Sequence, residues 1–379
     1  MTDPTRQQAI EHMLNRINDT ARRVTDGFPH YAEPETGEWT TSPAGDWTGG
    51  FWNGMLWLAY HATQDRRYHD WVSNWVERLR VRAGSETIFR GFLFYYGAAL
   101  GAMLGDDDNA KQTAMAGAKG LAALYNSNAR LISLGSEAEE AANVGRGETN
   151  IDGVQGMGLL MWAARQSGDA ELHKKAVNHS LRHIELCVRD DSSVCQSASF
   201  DTETGNMLRR YTHKGYGDDS TWARAQAWAM VGYAVNAIWA PEISEFLETA
   251  ERTADWWIDH VPEDRVAYWD FDAPVTAATK RDTSSTAIAT AALLKLSKLA
   301  PSEEQRHKYR EVAEETARVL VSDYLTPTHD GDMRVPGILT QGCYNHRIGL
   351  ATEHELIWGD YYLLESLFAL DGRIDETAF

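Results

Sequence analysis

The sequence alternates two kinds of helical segment, and this repeat limits the folds open to the chain. One kind is apolar on nearly every side and rich in small residues, which is typical of helices buried all round. The other follows after a short polar break and is amphipathic. The apolar segments are 49–63, 153–168, 221–239 and 283–300, and their amphipathic partners are 65–80, 169–187, 244–261 and 302–324. Residues 91–125, and 6–24 paired with 357–370, fit the same scheme. The repeat predicts an array of helical hairpins.

An open solenoid and a closed toroid both satisfy such an array. Gly and Ala in the apolar segments let helices crowd around an axis, and the segments that lead into them are rich in Trp, Asp, Arg and His. Both features favour the toroid. No Pro-, Gly- or Ser-rich linker interrupts the chain, so we expect a single all-α domain over residues 1–379. Short β pieces are expected near 196–212 and 264–272.

Charge and composition narrow the class of protein. The formal net charge of -19 argues against a nucleic-acid partner. No apolar run approaches the roughly 20 residues that span a bilayer, and the start, MTDPTRQQAIEHML, has no basic or apolar signal region. We therefore expect a cytoplasmic protein with no membrane partner. The cysteines Cys187, Cys195 and Cys343 have neither metal-site nor disulfide spacing, so we expect small buried or loop thiols.

Four segments between the hairpins combine tryptophan with charged residues. They are GDWTGGFW (45–52), THKGYGDDSTWARAQAW (212–228), VAYWDFDAP (266–274) and ELIWGDYY (355–362). Aromatic faces stack on sugar rings, while carboxylates and Arg bind hydroxyl and acid groups. Alternatively, each Trp is a core anchor and each Asp a helix cap. Four such clusters at corresponding ends of the hairpins favour a shared carbohydrate pocket.

Several motifs resemble one enzyme family in order along nearly the whole chain. They are GDWTGGFWNGMLW, TNIDGVQGMGLLMWA, RDDSSVCQSASFD, THKGYGDDSTWARAQAW, YWDFDAP, KRDTSSTAIA and IWGDYYLLESL. The sequence resembles the unsaturated glucuronyl hydrolases (glycoside hydrolase family 88) and, more loosely, the unsaturated rhamnogalacturonyl hydrolases. This resemblance implies an (α/α)6 toroid, a cytoplasmic location, no metal or cofactor, and a small acidic oligosaccharide or glycoside as substrate.

The resemblance also implies a hydration mechanism. An aspartate protonates C4 of a terminal uronate with a C4=C5 double bond and activates water for attack on C5, and the resulting hemiketal opens and releases the aglycone. Asp152 matches this catalytic aspartate. Its apolar or small neighbours Ile151, Gly153 and Val154 favour desolvation and a raised pKa, as suits a group that donates and then accepts a proton. The alternative is that Asp152 merely caps a helix starting at 153.

The sequence departs from the family pattern inside the expected pocket. Phe89 stands where the family has a second aspartate, Gln196 replaces a histidine, and Lys214 replaces a glutamine. Glu86 would substitute for the lost acid only after a loop shift, and Arg90 is a candidate second cation. We expect these changes to alter the substrate or the chemistry, and to weaken activity on ordinary unsaturated glucuronides.

The remaining candidates for substrate binding come from the same motifs. They are Trp47, His213, Trp222, Arg224, Trp228, Tyr344 and Trp358. We expect Lys214 or Arg224 to contact a substrate carboxylate or sulfate. Three other functions stay open: action on a saturated glucuronide, sugar epimerisation with His213 and His346 as the histidine pair, and non-catalytic sugar binding.

Overall fold

The computed structural model describes residues 4–139 and 145–379. Its helices alternate along the chain between an inner and an outer ring. In chain order they are α1 (Pro4–Arg23), α2 (Gly49–Thr63), α3 (Arg66–Leu79), α4 (Arg90–Phe94), α5 (Leu100–Leu104), α6 (Asp108–Ala123), α7 (Met157–Ser167), α8 (Ala170–Cys187), α9 (Ala223–Trp239), α10 (Ser244–His260), α11 (Thr283–Leu299), α12 (Glu303–Val319) and α13 (Ile357–Leu370).

The two rings form the expected (α/α)6 toroid. The inner ring holds the apolar helices, with α4 and α5 joined into one by a π-helical turn at Tyr95–Ala99. Neighbouring inner helices pack against each other, and α13 packs against α2, which closes the ring. The amphipathic helices α1, α3, α6, α8, α10 and α12 pack outside with their polar faces to solvent. None of the described helices combines the length and apolar character needed to cross a bilayer.

Glycine allows the inner helices to approach closely. A Cβ atom on Gly91 would lie 2.4 Å from the Cα of Gly156, and one on Gly50 would lie 2.5 Å from the carbonyl oxygen of Phe92. The start of α4 therefore meets both α2 and the segment before α7 backbone to backbone. These contacts bring the residues just before α2, α4 and α7 together at one end of the inner ring.

Short strands form within the loops between the helices. They are β1 (Phe28–Ala32), β2 (Trp39–Ser42), β3 (Tyr125–Asn126), β4 (Leu131–Ile132), β5 (Glu148–Asn150), β6 (Ser197–Phe200), β7 (Met207–Tyr211) and β8 (Glu355–Leu356). They pair antiparallel in the orders β2-β1-β8, β3-β4 and β5-β6-β7. Strands β6 and β7 lie in the predicted 196–212 segment. In 264–272 the prediction is wrong, because this segment makes only isolated bridges.

A buried group of charged residues lies where the ring closes. Tyr31 of β1 pairs with Leu356 of β8, and Arg16 of α1 bonds Glu355 at 2.5 Å, with both side chains almost fully buried. Asp360, in the first turn of α13, is buried beside them. Burial, reinforced by the charge of Glu355, raises the pKa of Asp360 well above its ordinary value. The two ends of the fold are thus joined by a strand pair and an ion pair.

Candidate active site

A pocket lies at the end of the ring where the inner helices begin. It has an empty volume of about 430 Å³ and is lined by Trp47, Phe89, Leu134, Glu139, Asn150, Asp152, Gln196, His213, Lys214, Trp222, Arg224 and Trp228. Most of the residues proposed from the sequence therefore come together around one pocket. A roomier groove on the outer surface, between α1 and α12, is lined without any aromatic ring, so its chemistry does not suit a sugar.

Asp152 reaches the pocket from a turn rather than from a helix. Strand β5 ends at Asn150, and Ile151–Val154 form a single 3-10 turn. The backbone N–H of Ile151 donates to the carbonyl of Gln196 at 2.9 Å, which ties this turn to β6. Helix α7 begins only at Met157. The helix-cap alternative for Asp152 is therefore wrong, and its carboxyl is held, 8% exposed, in the pocket wall.

Gln196 organises the neighbouring part of the wall. Its side-chain oxygen accepts a hydrogen bond from the backbone N–H of Lys214 at 2.9 Å, and its side-chain nitrogen lies 3.5 Å from Nε2 of His213. Nδ1 of His213 lies 3.1 Å from Oγ of Ser197. Gln196 thus fixes the backbone that carries His213 and Lys214.

Asp270 fixes the loop that continues from these residues. Its carboxylate accepts hydrogen bonds from the backbone N–H of Tyr216 at 2.9 Å and from Oγ of Ser220 at 2.7 Å. Burial raises the pKa of Asp270 despite these hydrogen bonds. This aspartate of the YWDFDAP motif is a loop anchor and does not line the pocket.

Lys214 and Arg224 differ in what they offer a ligand. Nζ of Lys214 lies 4.8 Å from the ring centre of Tyr344 and 5.8 Å from that of Trp222, so the ammonium group faces aromatic rings at the pocket. Arg224 is 1% exposed and donates to Asp282 and the Tyr344 carbonyl, both at 2.5 Å. Because the Arg224 guanidinium is committed to protein acceptors, Lys214 is the better candidate for binding a substrate anion.

Aromatic rings form a further part of the lining. Trp47 and Phe89 lie with ring centres 6.1 Å apart. Nε1 of Trp47 donates to the hydroxyl of Tyr344 at 3.0 Å, and its ring packs 4.7 Å from that of Trp358. Tyr344 and Trp358 were expected to bind substrate, but they are not among the lining residues. Both contact Trp47 and hold its ring in place.

Two other expectations near Phe89 are corrected by the structure. Arg90 donates to the carbonyls of Ala83 and Thr87, and it does not line the pocket. Burial lowers the pKa of its guanidinium to about 10, so it stays cationic behind the wall. Glu86 is exposed and accepts hydrogen bonds from Ser136 and Arg146. It therefore does not supply the pocket with an acid beside Phe89, and the expected substitution by Glu86 is wrong.

The structure adds an acid that the sequence did not suggest. Glu139 lines the pocket, with its carboxylate 2.6 Å from Nη2 of Arg82. It lies in the acidic run SEAEE, which is typical of a solvated surface, so no sequence signal distinguished it. His346, the second histidine of the epimerase alternative, stacks on Trp269 at 4.3 Å and is absent from the pocket lining. The pocket lining therefore does not contain the expected His213–His346 pair.

Comparisons with known proteins agree with the toroidal fold. The model of Glycosyl Hydrolase Family 88 matches residues 20–367. The chain is 34% identical to an unsaturated glucuronyl hydrolase of Bacillus sp. (strain GL1), over 97% of each chain. The crystal structure of the unsaturated glucuronyl hydrolase from Bacillus sp. GL1 superposes with a TM-score of 0.89 at 33% identity, again over 97% of each chain.

A further solved structure contains a ligand. It is a variant unsaturated glucuronyl hydrolase from Streptococcus agalactiae complexed with dGlcA-GalNAc6S, 27% identical, with a TM-score of 0.80 over 96% of this chain and 91% of that one. The match to the family model covers most of the chain, and the relatives match almost end to end. This protein is therefore a glycoside hydrolase that belongs to Glycosyl Hydrolase Family 88.

Proposed function

We propose that the enzyme removes a terminal uronic acid with a C4=C5 double bond from a small acidic oligosaccharide, with Asp152 as the acid and base. The observation that carries this proposal is the position of Asp152: a buried carboxyl, off any helix, in a pocket that also holds Trp47, Trp222 and Lys214. The relatives named as unsaturated glucuronyl hydrolases support the same substrate class. A cytoplasmic location, as the family resemblance implies, is part of the proposal.

The chemistry needs one carboxyl to act twice. Protonated Asp152 gives its proton to C4, and positive charge develops at C5 and the ring oxygen. The carboxylate then takes a proton from the water that attacks C5, so C4 gains a hydrogen and C5 a hydroxyl. The C5 hemiketal opens to a ketone, and the freed C1 hemiacetal releases the aglycone alcohol. Asp152 ends protonated, ready for another cycle.

The charge distribution favours an anionic sugar at this end of the ring. Inner helices α2, α4 and α9 begin within two residues of Trp47, Phe89 and Trp222, so their positive N-terminal dipole ends point towards the pocket. Lys214 adds a full positive charge. A protein with a net charge of -19 needs such local groups to attract an anion. Trp222 and Trp47 supply faces on which a sugar ring stacks.

The test follows the double bond directly. Conjugation of the C4=C5 bond with the carboxylate gives unsaturated disaccharides a near-ultraviolet absorbance that hydration abolishes. The purified enzyme is expected to remove this absorbance from unsaturated disaccharides and to leave the matching saturated glucuronides intact. Cleavage of the saturated compounds alone would contradict the proposal, and binding without turnover of either set would favour a sugar-binding protein.

A further inference from the structure

The pocket contains a second carboxylate whose position is tightly fixed. Glu139 follows β4 in the chain, and Arg82 holds it from the 3-10 turn after α3. Arg82 donates to Oγ of Ser85 at 3.0 Å and to the carbonyls of Ala44 and Asp46 at 3.3 and 3.2 Å. With every branch of its guanidinium engaged, Arg82 holds Oε1 of Glu139 in one place.

The other oxygen of this carboxylate is poised to accept a hydrogen bond. Oε2 of Glu139 is buried and has no hydrogen-bond donor among residues 4–139 and 145–379. A buried acceptor left without a donor costs about 1–3 kcal/mol, so such atoms usually have a partner. Burial raises the pKa of Glu139, although Arg82 opposes this effect. A sugar hydroxyl in the pocket would supply the donor that the described protein groups do not.

Phe89 offers the pocket no such acceptor. Phe89 occupies the place of the second acid in the family pattern, and its ring packs on Trp47 and Phe92. It therefore cannot accept a hydrogen bond from a sugar. Phe89 and Glu139 line the same pocket as Asp152. Beside Asp152, the carboxylate in the described lining therefore comes from the segment after β4 and not from the residue before α4.

We propose that Glu139 is the second acidic residue of the pocket and binds a hydroxyl of the unsaturated uronate through Oε2. The inference rests on the proposed function. It also changes the expectation for Phe89: the substitution relocates the carboxylate to another wall, and so favours sugars whose hydroxyls face Glu139. A purely structural ion pair between Arg82 and Glu139 is the competing explanation.

The main test compares Glu139→Gln with Glu137→Gln. The first change keeps a side-chain oxygen for Arg82 but replaces the free acceptor with a donor. Glu137 lies two residues earlier, outside the pocket lining, and accepts from the backbone N–H of Glu86 at 2.5 Å. On an unsaturated disaccharide, Glu139→Gln is expected to raise KM about tenfold to a hundredfold, as for one hydrogen bond to a charged group. Glu137→Gln is expected to keep KM unchanged.

Rescue distinguishes substrate binding from a structural role. Adding Phe89→Asp to Glu139→Gln is expected to reverse part of the rise in KM, because an acid returns to the pocket. The structural explanation predicts no such reversal. The double change Arg82→Met with Glu139→Leu removes both charges together, so no charge is left without its partner, although the carbonyls of Ala44 and Asp46 lose a donor. It keeps the test valid if Glu139→Gln does not fold, and it is expected to raise KM similarly.

Each outcome is decisive. Wild-type KM in the Glu139 variants, or a loss of thermal stability without a KM change and without rescue, overturns the role of Glu139 and leaves the proposed function standing. A wild-type enzyme that turns over no unsaturated uronide overturns both proposals. A selective KM effect with rescue by Phe89→Asp supports both.

Discussion

At the scale of single residues, the local backbone of Asp152 distinguishes it from an aspartate that caps a helix. It lies in a 3-10 turn between β5 and α7, so its carboxyl caps no helix. We predict that Asp152→Asn lowers kcat on the true substrate by about 10²–10⁴-fold, the usual loss when a general acid–base group is removed. Initial rates of absorbance loss measure this, and an unchanged thermal midpoint would show an intact fold. Near wild-type turnover would contradict the assignment.

Substitution of the two pocket cations, Lys214 and Arg224, is expected to affect different properties of the enzyme. We predict that Lys214→Met raises KM for the anionic disaccharide with little change in thermal midpoint, because Nζ faces rings at the pocket. Arg224→Met should instead destabilise the fold by about 3–5 kcal/mol, since it leaves Asp282 buried without its partner. Denaturant unfolding and steady-state kinetics test both, and a reversed pattern would exchange the two roles.

The sequence predicted most of the pocket residues that sit in motifs, and it missed Leu134, Glu139 and Asn150. Asp152, Trp47 and Lys214 lie where a motif enters an inner helix, and the toroid brings such entrances together. Glu139 lies in the segment after β4, where it pairs with Arg82, 57 residues earlier in the chain. A contact between residues this far apart leaves no pattern in the local sequence. Arg90 was misplaced because its side chain turns back to the carbonyls of its own loop.

At the scale of elements, close backbone contact at the start of α4 sets the pocket wall. Gly91 touches Gly156, so Phe89 and Asp152, which lie just before these glycines, face one pocket. We predict that Gly91→Ala lowers the free energy of unfolding by about 1–3 kcal/mol through overpacking. Gly84→Ala is the control, because a Cβ there has no atom within 4 Å.

Thermal or denaturant unfolding of the two glycine variants measures the difference. Equal stability of Gly91→Ala and Gly84→Ala would show that α4 shifts freely and that the contact does not constrain the wall. Turnover by Gly91→Ala is expected to fall as well, because displacement of α4 moves Phe89 relative to Asp152.

Helix positions were predictable where periodicity is strong. Helices α2 and α13 begin and end at the residues expected, because polar breaks flank long apolar runs. Strands β1 and β2 were not predicted: FPHYA and WTTS are short, lack clear alternation, and owe their pairing partly to β8 at the far end of the chain. Their stability comes from tertiary packing, which local propensity does not encode.

At the scale of the whole molecule, the buried charges at the ring closure make stability depend on pH. The pKa of Asp360 is raised by burial and by Glu355. Between the ordinary and the raised pKa, the folded protein holds a proton that the unfolded chain releases, so this group's contribution to stability is lost as pH rises. We predict that Asp360→Asn, whose amide donates to Glu355 at any pH, raises the thermal midpoint at pH 7.

This gain should shrink towards zero as the pH falls to about 4, near the ordinary pKa of an aspartate. Thermal midpoints of the wild type and of Asp360→Asn across this range test the sign. Asp70→Asn is a suitable control, because the Asp70 side chain is 69% exposed. A gain that does not vary with pH would indicate packing rather than proton binding as its cause.

Closure of the ring also determines when, during folding, the pocket forms. The hydrogen bond from Trp47 to Tyr344 joins residues 297 positions apart, and the Arg16–Glu355 pair joins residues 339 apart. Helical hairpins are local and form quickly, but contacts this distant carry the largest loop-closure cost and come late. On the ribosome, a growing chain therefore acquires most of its helices long before Trp47 gains its support. Until α13 has docked, Trp47 lacks its contact with Trp358, so we expect the pocket to form only after this helix has joined the ring.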